Sequence, residues 1–375
     1  MDPAALQLYS EDVLVSMKNN LFVYARQFSF GLRVFFRRLS VKNVRQIAVF
    51  IFRRYLLSAP VPFSAVYAVT YKCQCRCVHC SVADYGVPAG ELDTAEAMEL
   101  IDSVAGVGAV KITFFGGEPL VREDLCDLMV YAGRKGLRTS LDTNGLLLDK
   151  GMAARLRAAG IGNVNVSLDS ADPSVHDSLR MRKGCFDAAV GAIKSCVALD
   201  IPCLVSTYAS KRSLSDGDMV KLIALARSLG ASGVKILFPI LSGNWRKNES
   251  ERLDSEEEKR LLALMDPSYV YLEDALQMVK SRGKGCSAME RNLLYISPTG
   301  DVQPCPAIPV SFGNVRRRPL AEIAASMVAH PFFAKYGKCS MCLMNDTGFR
   351  EKLFAGGAAK LPVDIEALSL SLDKK

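Results

Sequence analysis

The segment Ser64-Ala-Val-Tyr-Ala-Val-Thr-Tyr-Lys-Cys-Gln-Cys-Arg-Cys-Val-His-Cys80 joins a β-rich run to a cysteine-rich loop. Its first seven residues predict a strand, because they are largely apolar and rich in valine and tyrosine. In the loop, three cysteines have the spacing Cys73-x3-Cys77-x2-Cys80. Three thiolates in one loop can hold three corners of a cubane iron–sulfur cluster. They leave the fourth iron open, which another molecule needs if it is to bind the metal directly.

A structural zinc site is the alternative for this loop. Such sites commonly take four ligands from two Cys-x2-Cys pairs, whereas the loop contains one such pair, Cys77 and Cys80. Cys75 also lies in the loop, but its spacing to either neighbouring cysteine makes a poor chelate. The spacing therefore favours the iron–sulfur cluster.

From residue 63 onward, short β-rich runs alternate with amphipathic helical patterns, which is typical of an α/β protein. The predicted strands span residues 64–70, 109–115, 138–142, 163–168, 202–208 and 233–239. Predicted helices between them span 94–105, 125–135, 152–159, 186–199 and 216–229. Six β/α repeats with right-handed crossovers predict a parallel sheet that curls into a partial (β/α)6 barrel of the TIM type.

Most of the polar motifs follow directly after a predicted strand. The cysteine loop follows the first strand, Gly116-Gly-Glu-Pro119 the second and Thr143-Asn-Gly145 the third, while Asp169-Ser170 ends the fourth. In α/β barrels the loops at the carboxyl ends of the strands form the active site. The sequence therefore predicts one pocket built from several separate segments.

The cysteine loop and the later motifs resemble those of the radical S-adenosylmethionine (SAM) superfamily, over roughly residues 64–342. In that family the loop holds a four-iron four-sulfur cluster whose open iron binds SAM. An electron from the cluster cleaves SAM to methionine and a 5'-deoxyadenosyl radical, which abstracts a hydrogen from the substrate. The resemblance implies that Cys73, Cys77 and Cys80 are catalytic cluster ligands. It also implies an enzyme of oxidoreductase or transferase type and an electron donor such as flavodoxin or ferredoxin.

Further residues match positions that contact SAM in that family. Gly116, Gly117, Glu118 and Pro119 resemble the GGEP motif, whose backbone and glutamate bind the methionine ammonium of SAM. The other matches are His79 against the adenine, Asn144, Ser167 and Asp169 around the methionine or ribose, and Arg180 at the SAM carboxylate. Each of these motifs alone is usually only a turn. The resemblance to the family is therefore supported by the order in which the motifs follow successive strands.

A second cysteine set, Cys286-x13-Gly300-x4-Cys305 followed by Cys339-x2-Cys342, resembles the opening half of the SPASM auxiliary-cluster extension. No cysteine follows Cys342, which implies a shortened, twitch-type domain with one auxiliary four-iron four-sulfur cluster on these four cysteines. A four-cysteine zinc site is the alternative. The remaining cysteines outside both sets are interpreted as small core residues: Cys126, Cys185, Cys196 and Cys203.

The first 62 residues are basic and apolar, with nine Lys or Arg against three Asp or Glu. No stretch there reaches the roughly 18 uninterrupted apolar residues of a membrane span. Basic amphipathic helices on an anionic membrane are one interpretation, and a helical extension that packs on the main domain is the other. Nucleic acid is not expected as a partner, because the rest of the chain is close to neutral.

These patterns predict five regions: a basic extension (1–62), the barrel (63–248), a charged helical linker (249–282), an auxiliary-cluster domain (283–350) and a tail (351–375). We expect a cytoplasmic enzyme, peripheral on the cytoplasmic face of the membrane if the extension binds lipid. The basic extension suggests a lipid or lipid-linked substrate. Maturation of a ribosomal peptide is the second hypothesis, a modified tetrapyrrole or a carbohydrate remains open as substrate, and a non-enzymatic zinc-binding scaffold is the alternative from another class.

Overall fold

The computed structural model describes residues 26, 29–31, 34–272, 286, 288–336, 342–354 and 361–372. Its strands are β1 Ser64–Thr70, β2 Lys111–Gly116, β3 Arg138–Thr143, β4 Asn163–Ser167, β5 Cys203–Tyr208, β6 Gly233–Leu237, β7 Val270–Leu272, β8 Leu293–Ile296, β9 Val302–Gln303, β10 Val310–Ser311 and β11 Val363–Asp364. Within these ranges, nine strands form one sheet in the order β7-β6-β5-β4-β3-β2-β1-β8-β9. All neighbours in it are parallel except β8 and β9.

Helices connect most of the parallel strands. They are α1 Val41–Ile51, α2 Thr94–Gly106, α3 Leu125–Arg134, α4 Lys150–Ala158, α5 Pro173–Arg180, α6 Cys185–Ala198, α7 Lys211–Ser215, α8 Asp218–Ser228, α9 Ser255–Ala263, α10 Leu320–Ala329, α11 Pro331–Tyr336, α12 Thr347–Phe354 and α13 Ile365–Leu372. All six predicted strands and the helices between them are present, with ends within two residues of the prediction. The partial barrel is therefore confirmed.

The two faces of β1 contribute to two separate hydrophobic clusters. Ala65, Tyr67 and Val69 point to one face of β1 and join the large core that the sheet forms with the surrounding helices. The alternating residues Val66 and Ala68 belong to a separate cluster on the other face, as the two-residue period of a strand requires. Both faces of the parallel sheet are thus covered.

The C-terminal region extends the same sheet. β8 and β9 form a hairpin, because they pair antiparallel across the turn Pro298-Thr-Gly-Asp301. On its other edge β8 pairs parallel with β1, so β1 has a hydrogen-bonded neighbour on each side. β7 lies in the range predicted as a linker and pairs with β6. The five domain boundaries remain predictions.

The described part of the N-terminal extension packs at the end of the barrel opposite the cysteine loop. Arg138, at the start of β3 and 4% exposed, donates to the carbonyl oxygens of Val34 (2.6 Å), Arg37 (3.1 Å) and Gly162 (2.8 Å). From α1, Asn43 donates to the carbonyl oxygen of Gly136 at 3.0 Å. The interpretation that this extension packs on the main domain is confirmed for these residues. None of the described helices has the length and apolar character needed to cross a membrane.

Replacing Arg138 with methionine should lower the free energy of unfolding by about 2 to 3 kcal/mol, because buried carbonyl oxygens lose a charged donor. Chemical denaturation of Arg138→Met measures this change. The control is Arg157→Met, since Arg157 is an exposed residue that makes one long bond to the carbonyl oxygen of Leu199 at 3.3 Å. We expect less than about 0.5 kcal/mol for the control. Equal losses in both variants would contradict the role given to Arg138.

Candidate active site

The cysteine loop (Cys73–Cys80) leaves the carboxyl end of β1 and lies against the Gly116-Gly117 pair at the end of β2. A Cβ atom on Gly116, whose φ is +144°, would lie 2.1 Å from the carbonyl oxygen of Thr70. One on Gly117 would lie 2.4 Å from the carbonyl oxygen of Lys72. Because no side chain fits there, the two glycines allow backbone-to-backbone packing at the entrance to the loop.

Two other segments hold the loop from different sides. The amide nitrogens of Arg76 and Val78 donate to the carbonyl oxygens of Arg180 (3.3 Å) and Leu179 (2.9 Å) at the end of α5. Asn244, which follows β6, donates from its side chain to the carbonyl oxygen of Cys77 at 2.8 Å. Chain segments after β2, β4 and β6 therefore fix the position of the loop, and the contribution of the segment after β6 was not predicted.

The thiols of the loop lie in an environment that favours thiolates at two positions. Hydrogen bonding from Cys75 is the main cause that lowers the pKa values of Cys73 and Cys77 below the usual value for a thiol. Asn144 Nδ2 lies 3.8 Å from Cys73 Sγ, and Arg180 Nη1 lies 3.7 Å from Cys77 Sγ. Burial raises the pKa of Cys80 to about 11. Because metal ligation removes thiol protons, binding of a cluster would offset the effect of burial on the pKa of Cys80.

Cys75 and Cys185 form a contact that the sequence did not predict. Their sulfur atoms lie 3.6 Å apart, and both side chains are buried. Cys185 was interpreted as a core residue, and it does pack inside the protein, but it packs beneath the cysteine loop with Cys75 and Cys77. The separation of 110 residues explains the omission, since a lone cysteine at the start of a helix carries no signal of its partner.

Glu118 is fully buried, and its hydrogen bonds join the motif after the second strand to the motif after the third strand. Its carboxylate accepts hydrogen bonds from Thr143 Oγ1 (2.7 Å), the Asn144 amide (2.8 Å) and the Leu120 amide (3.2 Å). Burial outweighs these bonds and raises the pKa of Glu118 to about 7. Pro119 is buried as the first residue of the turn Pro119–Val121. The Gly-Gly-Glu-Pro and Thr-Asn-Gly motifs are therefore one hydrogen-bonded unit.

Asp169 and Arg180 form a buried ion pair beside the cysteine loop. Arg180 Nε lies 2.7 Å from Asp169 Oδ2, and both residues are under a tenth exposed. His79 Nε2 lies 3.6 Å from the same oxygen. Burial lowers the pKa values of His79 and His176 to about 4, so both rings are neutral near pH 7. Arg180 is therefore the cation that balances Asp169.

An aromatic group around His79 includes two residues that sequence reasoning missed. The His79 ring lies 4.9 Å from the Tyr208 ring and 5.5 Å from the Trp245 ring, centre to centre. Tyr208 ends β5, and Trp245 lies in the loop after β6. Tyr208 lies at the end of one strand and Trp245 follows the next, and this position in the sequence was the signal that could have identified both residues. Ser167, a predicted SAM contact, lies at the end of β4 and is half-buried.

A second aromatic cluster (Tyr71, Tyr85, Phe115 and Tyr295) lies between the cysteine loop and Cys305. The hydroxyl oxygens of Tyr71 and Tyr295 are 2.7 Å apart, and the rings of Tyr71 and Tyr85 are 5.1 Å apart. Cys80 packs against this cluster. Burial, Tyr71 and the nearby Cys305 thiol raise the pKa of Tyr85. The aromatic cluster thus lies between the regions of the two cysteine sets.

The described cysteines of the second set are Cys286, Cys305 and Cys342, all half-buried against the main core. Cys339 lies outside the described residues. Asn345, three residues after Cys342, accepts from the Leu241 amide and donates to the carbonyl oxygen of Pro239, each at 2.9 Å. This set is therefore anchored to the loop after β6. Within the described ranges, no three His, Cys, Asp or Glu side chains are grouped to hold a single metal ion.

Comparison with known proteins identifies the family. Residues 67–226 match the radical SAM superfamily, and residues 286–343 match the SPASM iron-sulfur cluster-binding domain. The chain is 33% identical over 313 residues to the AdoMet-dependent heme synthase of Methanosarcina barkeri (strain Fusaro / DSM 804), which covers 75% of this chain and 88% of that protein. The chain belongs to the radical SAM superfamily.

This radical SAM protein has other relatives. It is 41% identical over 132 residues to the Fe-coproporphyrin III synthase of the same organism, covering 35% of this chain and 33% of that one. Streptococcus suis SuiB bound to precursor peptide SuiA has a similar fold, with a TM-score of 0.61, 14% identity, and coverage of 79% of this chain and 71% of that one.

Several predictions are thereby confirmed. The protein is a radical SAM enzyme that uses SAM and a four-iron four-sulfur cluster, with an auxiliary iron–sulfur cluster in its C-terminal region. The non-enzymatic zinc scaffold is not supported. The residues of the cysteine loop fit the SAM-binding four-iron four-sulfur cluster. Two of the thiols have lowered pKa values, and they lie close to amide and guanidinium donors at the mouth of the barrel.

Proposed function

We propose that Cys73, Cys77 and Cys80 ligate the cluster that binds SAM, and that the neighbouring motifs orient SAM for cleavage. When bound, the cluster supplies the electron that splits SAM into methionine and the radical that abstracts hydrogen. The observation that carries this proposal is the convergence of segments from three strand ends on the cysteine loop. An external donor such as flavodoxin or ferredoxin would provide the electron.

Each remaining site residue has a role that its surroundings support. Glu118 supplies negative charge for the methionine ammonium and holds Asn144 in place. Arg180, fixed by Asp169, presents its guanidinium to the SAM carboxylate and to Cys77. Asn144, Ser167 and Asp169 lie at strand ends where methionine or ribose would bind. His79 offers a neutral ring for the adenine. Burial of these groups excludes water from the reacting atoms.

We propose a tetrapyrrole as the substrate. The M. barkeri heme synthase, similar along most of its length, supports this class. The aromatic cluster is compatible with this class, since Tyr85 is half-buried beside the cysteine loop and can stack on a flat macrocycle, while Tyr71 and Tyr295 are buried and support its ring. A lipid or lipid-linked substrate, suggested by the charge of the extension, and a peptide are the competing classes.

We propose that Cys286, Cys305, Cys339 and Cys342 hold the auxiliary cluster and that it accepts the electron left on the substrate after hydrogen abstraction. A fully ligated cluster can carry an electron without binding substrate. The aromatic cluster, which contacts Cys80 and lies near Cys305, supports the proposal by offering a packed path between the two regions. Net oxidation of the substrate then needs no other acceptor in the barrel.

Anaerobic reconstitution tests the proposal. We expect about eight irons per chain, release of deoxyadenosine on reduction with SAM, and consumption of iron coproporphyrin III in a mass-spectrometric assay. The Cys342→Ala variant should still release deoxyadenosine but form little product. Consumption of a lipid-linked or peptide probe in place of the porphyrin would reject the tetrapyrrole. Stoichiometric zinc without iron would reject the cluster assignment.

SAM affinity should depend on pH through Glu118. Its pKa is raised to about 7, so below pH 7 the carboxyl becomes neutral and no longer attracts the methionine ammonium. We expect the SAM dissociation constant to rise by up to about tenfold for each pH unit below 7 and to be constant above it. Glu118→Gln should bind SAM weakly at every pH.

Equilibrium binding to the reconstituted protein measures this profile. Glu123→Gln is the matched control, because Glu123 is an exposed glutamate close to the same motif. The control should keep the pH profile of the unmodified protein. A flat profile in the unmodified protein, or an unchanged affinity in Glu118→Gln, would contradict the role of Glu118.

A further inference from the structure

Exposed apolar side chains are concentrated on one part of the molecule. Among the described residues, twelve large hydrophobic side chains are exposed, and eight of them lie between residues 36 and 57. Seven of these form what we call the N-terminal apolar face: Val41, Val44, Ile51, Phe52, Tyr55, Leu56 and Leu57. Their exposed fractions range from 49% for Ile51 to 87% for Val41. Contiguous exposure of this kind usually marks an interaction site.

Helix geometry explains how the face arises. Val41, Val44, Ile51 and Tyr55 recur at intervals of three, seven and four residues, which places them on one side of α1 and the π-helical turn Phe52–Leu56. Asn43 and Phe50 point the other way, and they are buried against the barrel. The inner side of this helix thus packs on the protein, while an apolar side is turned outward.

The charge around the face has one sign. Between Phe36 and Pro62 the chain has six Lys or Arg and no Asp or Glu. Arg37 and Arg38 pair with Asp200. Arg53 and Arg54 donate to the backbone oxygens of Gly106 and Glu290. Lys42 and Arg45 are exposed on α1, and the salt bridges found among the described residues do not include them. Apolar side chains flanked by cations complement an anionic lipid surface.

We infer that the N-terminal apolar face docks this enzyme onto an anionic lipid bilayer. Phe52, Tyr55 and Leu56 enter the boundary between headgroups and acyl chains, while Lys42 and Arg45 contact lipid phosphates. α1 contacts Gly136, which precedes β3, so the face lies at the end of the barrel opposite the cysteine loop. A docked molecule therefore keeps the mouth of its active site directed away from the membrane.

Vesicle flotation with the full chain tests this inference. We expect binding to vesicles of phosphatidylcholine and phosphatidylglycerol, weaker binding at high salt, and little binding to phosphatidylcholine alone. The double variant Phe52→Glu/Leu56→Glu should bind at least about 10-fold more weakly, because two large apolar contacts are lost. Lys42→Glu/Arg45→Glu should lose the preference for the anionic vesicles.

Val87→Glu is the matched control, since Val87 is 58% exposed at a different place on the surface; it should bind as the unmodified chain does. An unchanged melting temperature shows that each variant is folded. Wild-type failure to bind, equal binding by the Phe52→Glu/Leu56→Glu variant, or equal binding to neutral vesicles would overturn the inference. So would analytical ultracentrifugation that finds a dimer which this double variant dissociates, because a second copy would then cover the face.

Discussion

Deoxyadenosine formation should fall by at least about 1,000-fold when Cys77 is replaced with alanine, because SAM homolysis has no alternative route without the cluster. Cys77 lies at the centre of the loop, and hydrogen bonding from Cys75 together with the Arg180 guanidinium favours its thiolate. Loss of this proposed ligand leaves two of the three cysteines proposed to hold the cluster. The iron content of the reconstituted variant should therefore fall to that of the auxiliary cluster.

Cys75→Ala is the matched control, since it removes a buried thiol from the same loop. We expect it to retain the full iron content and measurable deoxyadenosine formation, with reduced rates because Cys75 supplies hydrogen bonds to both neighbours. Iron analysis and electron paramagnetic resonance of the reduced protein separate the two variants. Loss of the SAM-binding cluster in Cys75→Ala with its retention in Cys77→Ala would show that the ligand assignment is wrong.

Replacing Arg180 with methionine should lower the free energy of unfolding by about 3 to 5 kcal/mol, because Asp169 is left buried without its cation. Burial is the main cause that lowers the pKa values of both neighbouring imidazoles, and it still opposes their protonation in the variant. Chemical denaturation of the apoprotein measures the change. We also expect weaker SAM binding in the reconstituted variant.

The double variant Arg180→Met/Asp169→Asn separates loss of the charge pair from general damage. It should recover part of the stability, because the uncompensated charge is removed. Lys259→Met controls for loss of an exposed cation, since Lys259 pairs with Glu256 at 3.2 Å on the surface, and should cost less than about 1 kcal/mol. If the double variant is as unstable as Arg180→Met, charge imbalance is not the cause.

Local sequence patterns predicted the barrel well because each of its strands has its own signal. The run at residues 64–70 is short, apolar and followed by a dense motif, and β1 has those bounds. Cysteine spacing predicted the loop for a related reason, since metal ligation limits the distance between ligands along the chain. For the six predicted strands, whose signals are each contained within about ten residues, sequence and structure agree, whereas β7 lies in a range predicted as a helical linker.

Contacts between distant segments could not be predicted in this way. The pairing of β8 with β1, the Cys75 and Cys185 contact, and the bonds from Arg138 to Val34 and Arg37 each join segments about 100 residues apart or more. An isolated cysteine or arginine has the same local pattern whether it packs in a core, lies beside a cofactor or anchors a distant segment. Only the three-dimensional arrangement separates these cases.

The pairing of β8 with β1 also limits how far the C-terminal region can move relative to the cysteine loop. β1, which leads into the cysteine loop, pairs with β8, and β8 pairs in turn with β9, the strand that precedes Cys305. Electron tunnelling weakens steeply with distance, and a ladder changes its length far less than a flexible tether does. We therefore expect the rate of electron transfer between the two proposed clusters to be insensitive to solvent viscosity.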